Sequence, residues 1–148
     1  MNAEATVSVL GAGGWGTALA IMAQNYGSRV TLWSPFEDEI LGIRRFGEHK
    51  KLLPGVPVSP EISLTTHLSQ AADAELIIFA VPSFAIRRTA ELLAPFLPEG
   101  TLIANAGKGL EPETHRRFSE VLSEVLPAAR VVALSGPSHA EEVARNVP

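Results

Sequence analysis

Apolar residues fall into short continuous runs, separated by longer segments in which they recur every three or four positions. Runs at 6–10, 29–33, 76–81, 101–105 and 131–134 are rich in Val, Ile and Leu, and such continuous runs suit strands buried on both faces of a parallel sheet. A shorter strand is expected at 61–66. Segments 17–24, 37–46, 84–97 and 113–126 read as helices, the third interrupted late by Pro95 and the fourth carrying Phe118, Val121, Leu122, Val125 and Leu126 on one side. A helical turn at 68–72 and a short helix opening within 135–142 complete the series. Stretch 47–60, with Pro54, Pro57 and Pro60, cannot continue a helix. It reads as a long surface connection, the alternative being a flap over a ligand. Strands alternating with helices imply an α/β, Rossmann-type, doubly wound sheet, mainly parallel, with helices on both faces. Ligands then bind beyond the carboxyl ends of the strands, at loops 11–16, 33–36, 81–84, 105–110 and 135–140.

The first loop is the most informative. Gly11, Gly13 and Gly16 satisfy G-x-G-x-x-G between an apolar strand and a helix-forming segment. The first glycine permits the sharp turn, the second lets a pyrophosphate approach backbone, and the third lets helix and strand pack closely. Free N–H groups and the positive dipole end at the helix start make an anion cradle of the backbone. A dinucleotide, NAD or NADP, is the expected ligand. Trp15 reads equally as an aromatic covering the sheet edge and as a wall beside the cofactor.

In this fold an acid after the second strand bonds the ribose 2′-hydroxyl of NAD, and an arginine there accepts the 2′-phosphate of NADP. Ser34-Pro35-Phe36 supplies neither, and Glu37 and Asp38 read as favourable first-turn charges of the next helix. Ser34 can bond either group, so no strong cofactor preference is expected.

Composition narrows the classes. The 148 residues, 46% hydrophobic and 19% charged, suffice for one ordinary domain. No cysteine is present, which excludes disulfides and thiolate metal sites; no His and acid cluster has metal-ligand spacing, so no metal is expected. A net charge of −4 gives no basic footprint for nucleic acid. The N-terminus lacks a basic leader region, and no apolar run approaches the roughly twenty residues of a membrane span. A cytoplasmic protein with no membrane insertion is expected.

Lys108, between two glycines just after a strand, reads as a group projecting over the crevice, suited to an anion or a carbonyl. Ser135, Gly136 and Ser138 combine hydroxyls with N–H groups at a helix start, which suits a phosphate or a helix cap equally. His139 reads as a partly packed helix-start residue rather than a general base, and Arg87 and Arg88 as a solvated face rather than phosphate contacts.

Five segments in order, Gly11-Ala12-Gly13-Gly14-Trp15-Gly16-Thr17-Ala18, Leu53-Pro54-Gly55, Ala80-Val81-Pro82-Ser83, Lys108-Gly109-Leu110-Glu111 and Ser135-Gly136-Pro137-Ser138-His139-Ala140-Glu141-Glu142, resemble the N-terminal domain of NAD(P)-dependent glycerol-3-phosphate dehydrogenases. The resemblance implies that Gly14 and Trp15 line the dinucleotide site, with Ser34, Pro35 and Pro82 beside it. It also implies that Lys108 touches both cofactor and substrate, that Gly136 and Ser138 contact the substrate, and that Ala140 contacts the cofactor. The substrate would be small and phosphorylated. The catalytic proton acceptor, a lysine, and an Arg-Asn pair gripping the substrate phosphate would lie in a second, helical domain outside 1–148, through which a homodimer could form. Residues 1–148 are thus expected to be the cofactor-binding part, inactive alone. Four positions depart from the family pattern: Pro35 replaces a basic residue, His49 and Leu52 replace Asn and Tyr, and Gly107 replaces Ala or Thr, implying a looser turn before Lys108. The competing readings are a related hydroxy-acid or ketopantoate-type dehydrogenase, and a non-catalytic NAD(H)-sensing module.

Overall fold

The computed structural model describes residues 4–147; residues 1–3, part of the stretch read for a leader, and Pro148 lie outside them. Strands β1 (Thr6–Leu10), β2 (Arg29–Trp33), β3 (Ser63–Thr65), β4 (Leu76–Phe79), β5 (Leu102–Asn105) and β6 (Arg130–Ala133) form one sheet in the order β3-β2-β1-β4-β5-β6, every pair parallel. The chain starts mid-sheet, winds to one edge, and returns to lay β4 on the other side of β1. That reversal, between β1 and β4, parts the loops at the carboxyl ends and opens a crevice there. This is the doubly wound α/β architecture the alternating pattern implies.

Among the described residues six helices, α1 (Gly14–Asn25), α2 (Glu37–Phe46), α3 (Leu68–Ala71), α4 (Ile86–Leu93), α5 (Phe118–Val125) and α6 (Ala140–Ala144), cover the two faces. Side chains alternate across the strands, so β1, β2, β4 and β5 each feed two cores. Val7, Val9, Leu32 and Ile78 pack with α1, α2 and α6 through Leu19, Ile21, Ile40, Ile43 and Ala144. Leu10, Trp33, Ile77, Phe79 and Ile103 pack with α3, α4 and α5 through Ala71, Ile86, Leu93, Phe118 and Leu122. Burying each large side chain contributes about 1.5–3 kcal/mol, which is why these continuous runs dictate the layering. Among the described residues no helix is long and apolar enough to cross a membrane.

Three expected elements differ. The helix expected at 113–126 begins only at Phe118, because residues 111–116 form a tight turn in which Glu111 and Arg116 pair backbone groups and His115 adopts φ 56°. The helix expected at 84–97 is α4 flanked by single 3-10 turns at Ser83–Ala85 and Ala94–Phe96. The strand expected to be buried at 131–134 is β6, largely exposed with Val132 and Leu134 nearly half accessible, since it pairs on one side only, with β5. The 47–60 segment is neither a loose connection nor a free flap: Leu53, Val56 and Val58 are buried in the first core.

Candidate functional site

The glycine turn lies at the switch point, stitched to both neighbours of β1. The Gly11 N–H donates to the Trp33 carbonyl at 2.8 Å, and the Ala80 N–H to the Leu10 carbonyl at 2.8 Å. Gly11 adopts φ +112°, and a Cβ there would lie 2.7 Å from the Ala80 carbonyl oxygen, so no other residue fits. A Cβ on Gly16 would fall 1.7 Å from the Gly11 carbonyl oxygen; its absence lets α1 leave the turn at once. Gly13, the residue before α1, is different: a Cβ on it would meet nothing nearer than Leu52 Cδ1 at 3.9 Å. The first N–H groups of α1 have no partner within the helix, and no side chain caps them. Gly13, Gly14 and Trp15, where the helix begins, line the crevice.

The crevice has a volume of about 650 Å³, within the range of cavities that enclose cofactors. Of the residues singled out in the sequence, Gly11, Gly13, Gly14, Trp15, Ser34, Pro35, Pro82, Lys108, Ser138 and Ala140 line it. Gly16 lies behind the turn, and Gly136 lines an adjoining cavity of about 510 Å³ that shares Trp15, Lys108 and Ser138 with the first. Trp15 is the wall between them, its indole N–H donating to the Ala106 carbonyl at 3.2 Å. Lys108 is exposed at the mouth of both. The turn before it is not loosened by Gly107, because the Asn105 side chain accepts from the Gly107 N–H at 3.2 Å and donates to its carbonyl at 3.1 Å. His139, not Ser138, precedes α6 as its cap position, and it is exposed rather than partly packed; the Ser138 hydroxyl reaches only the Gly136 carbonyl, at 3.5 Å.

Four further crevice residues bear on binding and were given no ligand role by the sequence. Phe36 and Phe84, 67% and 77% exposed, stand at the rim directly after β2 and β4; their place in the expected ligand loops was the available clue. Leu52 enters from the 47–60 segment. Glu39 is the fourth. It precedes the buried Ile40 in α2, which turns it inward while Glu37 and Asp38 face solvent. Its Oε2 accepts from the Ser34 hydroxyl at 2.5 Å, and its Oε1 meets His49 Nε2 at 3.2 Å. The Leu52 N–H donates to His49 Nδ1 at 3.2 Å.

The model of the family described as "NAD-dependent glycerol-3-phosphate dehydrogenase N-terminus" matches residues 6–148. This chain belongs to that family. It is 49% identical over 144 residues to a glycerol-3-phosphate dehydrogenase (NAD(P)+) of Moorella thermoacetica, covering 97% of this chain and 43% of that one. It is 42% identical over 143 residues to one of Bradyrhizobium, covering 97% and 43%. The crystal structure of glycerol-3-phosphate dehydrogenase from Coxiella burnetii superposes with a TM-score of 0.90 at 33% identity, over 98% of this chain and 45% of that chain. A ketopantoate reductase from Ralstonia eutropha superposes at 0.70 with 22% identity, over 86% of this chain and 40% of that one, a likeness of fold alone. The chain spans less than half the length of the curated relatives it matches.

Within the dehydrogenase segment Lys108-Gly109-Leu110-Glu111, the last residue anchors the loop. Glu111 is buried and takes a two-pronged contact from Arg87 of α4, Nε to Oε1 at 2.7 Å and Nη2 to Oε2 at 3.1 Å. Arg87 Nη1 also donates to Glu124 of α5 at 2.8 Å, and Thr114 and Arg116 complete the cluster through Glu111 and Glu124. Arg87 is therefore neither a free solvated charge nor a crevice residue; the 111–116 turn folds back over α4 and engages it. The Arg87 guanidinium, followed by the Thr114 hydroxyl, holds the Glu111 carboxyl at about 2, well below its ordinary 4.5. A carboxyl lowered on folding stabilises the native state above its unfolded value and loses that contribution as pH falls through its folded one. Wild type should therefore exceed Glu111→Gln in urea midpoint at pH 7, and the gap should close between about pH 4.5 and 2. A gap unchanged down to pH 3 would show that it does not come from the ionised carboxylate, and no gap at pH 7 would show that the brace adds nothing.

Proposed function

We propose that this chain binds a nicotinamide dinucleotide in the crevice, and that the protein containing it interconverts sn-glycerol 3-phosphate and dihydroxyacetone phosphate. The observation that carries the reading is the meeting of an uncapped glycine turn with Lys108 and Ser138 around connected cavities at the switch point, in a chain of this family. The cradle fits the cofactor: at Gly13 a pyrophosphate approaches bare backbone, and the α1 N–H groups are aimed at it. Phe36 and Phe84 offer aromatic faces at the rim for the adenine.

When bound, the dinucleotide supplies or accepts the hydride at its nicotinamide ring. The chain's own residues bind and orient. Lys108 donates from its ammonium to the carbonyl oxygen at C2 of dihydroxyacetone phosphate, favouring the charge that develops there as hydride arrives. Gly136, through its N–H, and Ser138, through its hydroxyl, hold the substrate from the adjoining cavity, and Ala140 packs on the cofactor. Pro35 and Pro82 complete the cofactor's walls with Ser34. The proton that converts the alkoxide to the alcohol is exchanged with a lysine outside residues 1–148. In this proposal 1–148 is the cofactor-binding domain, a helical substrate domain lies beyond it, a homodimer forms through that second domain, and the protein is cytoplasmic.

The test has two arms. NADH or NADPH titrated into this chain should bind, and the whole protein should oxidise the reduced cofactor when given dihydroxyacetone phosphate. Binding without turnover by the whole protein, over a panel that includes ketopantoate, would favour a sensing module instead.

A further inference from the structure

We propose that Glu39 reads the ribose 2′-hydroxyl on the adenosine side and makes the site selective for NAD(H) over NADP(H), with His49 as its positioning residue. The inference rests on the cofactor reading above and adds to it a choice between the two cofactors. It replaces the expectation of no strong preference drawn from Ser34-Pro35-Phe36 alone.

Placement comes first. The crevice wall past β2 is built of Ser34, Pro35, Phe36 and Glu39, beside the glycine turn through the bond from Gly11 to the Trp33 carbonyl. In a doubly wound sheet this end of β2 addresses the adenosine ribose. The acid the site lacks at the strand end is thus supplied from one turn into α2.

The carboxylate is also fixed. Because the Leu52 N–H is a donor, His49 Nδ1 must accept from it; the ring proton then sits on Nε2 and donates to Glu39 Oε1. Ser34 Oγ accepts from the Phe36 N–H at 3.2 Å, which leaves its own hydrogen for Glu39 Oε2. Each carboxylate oxygen accepts one bond from the protein, and a carboxylate has about four acceptor positions. The Glu39 side chain is 21% exposed against 9% for His49. Held from behind and open in front, it retains acceptor capacity for a sugar hydroxyl.

Charge decides between the cofactors. The basic residues lining the crevice, Lys108 and His139, enter from the loops after β5 and before α6, across the sheet from β2. Near Glu39 in the chain, Arg44 donates to the Leu64 carbonyl at 3.1 Å, Arg45 lies over the Phe46 ring at 5.3 Å, and Lys50 pairs with Glu48 at 3.6 Å; none of these, nor Lys51, lines the crevice. A 2′-phosphate would therefore meet a carboxylate with no guanidinium or ammonium among the residues that line this side of the crevice. A 2′-hydroxyl would donate to it.

Calorimetric titration of NADH and NADPH into the chain tests this, with circular dichroism confirming that each variant is folded. Wild type should bind NADH at least tenfold more tightly than NADPH. Glu39→Gln should cut that ratio by tenfold or more, mainly through stronger NADPH binding. His49→Ala should lower it several-fold, and His49→Gln, which keeps a donor, should restore part of it. Equal binding of both cofactors by wild type, or an unchanged ratio in folded Glu39→Gln, overturns the selectivity proposal and leaves the dinucleotide site standing. An unchanged ratio in His49→Ala overturns the positioning role. Failure of wild type to bind either cofactor overturns both this inference and the functional reading beneath it.

Discussion

Gly13→Val should leave a folded chain that no longer binds NADH at millimolar concentration. Gly13 has φ −68° and ψ −175°, extended backbone open to a β-branched residue. The nearest atom to an added Cβ is Leu52 Cδ1 at 3.9 Å, the end of a side chain 48% exposed and free to move. Glycine is a fair residue at a helix cap and valine a poor one, a difference on the order of 1 kcal/mol or less, too small to unfold a domain with about 5–15 kcal/mol of stability. The side chain would instead stand where the pyrophosphate must approach backbone. Gly16→Ala is the contrasting control: its Cβ would fall 1.7 Å from the Gly11 carbonyl oxygen, so the turn itself must distort and thermal stability should fall. Calorimetric titration with parallel far-UV dichroism checks both. Wild-type affinity in a folded Gly13→Val chain would remove the glycine turn from the site.

The difference between those two glycines shows what could be read without the structure. Their separate jobs follow from spacing, because a strand, a tight turn and a helix leave little freedom between them, and the continuous apolar runs of β1 and β4 fix the layering by burial alone. What escaped was whatever depended on a distant segment folding back. Glu39 sits in an acidic triplet in which all three residues have the same local chemistry; only the burial of Ile40 and Ile43 selects the one that turns inward. His49 lies in a stretch whose prolines said no more than loop, and its bond to Glu39 depends on Leu53 and Val58 being drawn into the core. Arg87 looked like a solvated cation because Glu111 stands 24 positions away. The misplaced start of α5 has the same origin: Glu113 to Arg117 is a polar run with no local signal against a helix, but the backbone pairing of Glu111 with Arg116 overrides it.

Lys108→Ala should lower kcat/KM for dihydroxyacetone phosphate by about a hundredfold or more in the whole protein, the scale of removing one positioned electrostatic donor. Its position explains the size. Lys108 stands at the mouth shared by the dinucleotide crevice and the adjoining cavity lined by Gly136 and Ser138, on a turn pinned by Asn105 on one side and braced through Glu111 and Arg87 on the other. A flexible lysine tip on a fixed base loses little ordering freedom at its root, so its charge can be presented where the ketone oxygen becomes negative. That charge counts more in the transition state than in the ground state. The loss should therefore appear in kcat as well as KM, while the Kd for NADH changes far less. Arg87→Ala, which leaves the ammonium in place but releases the brace, should fall between wild type and Lys108→Ala. Residues 1–148 alone should give no turnover even with Lys108 intact, since the proposed proton acceptor lies elsewhere. NADH oxidation with dihydroxyacetone phosphate, measured on the whole protein, both variants and the short chain, checks each point. Full activity in Lys108→Ala would reduce the residue to a solvated turn lysine, and turnover by the short chain would overturn the second-domain proposal.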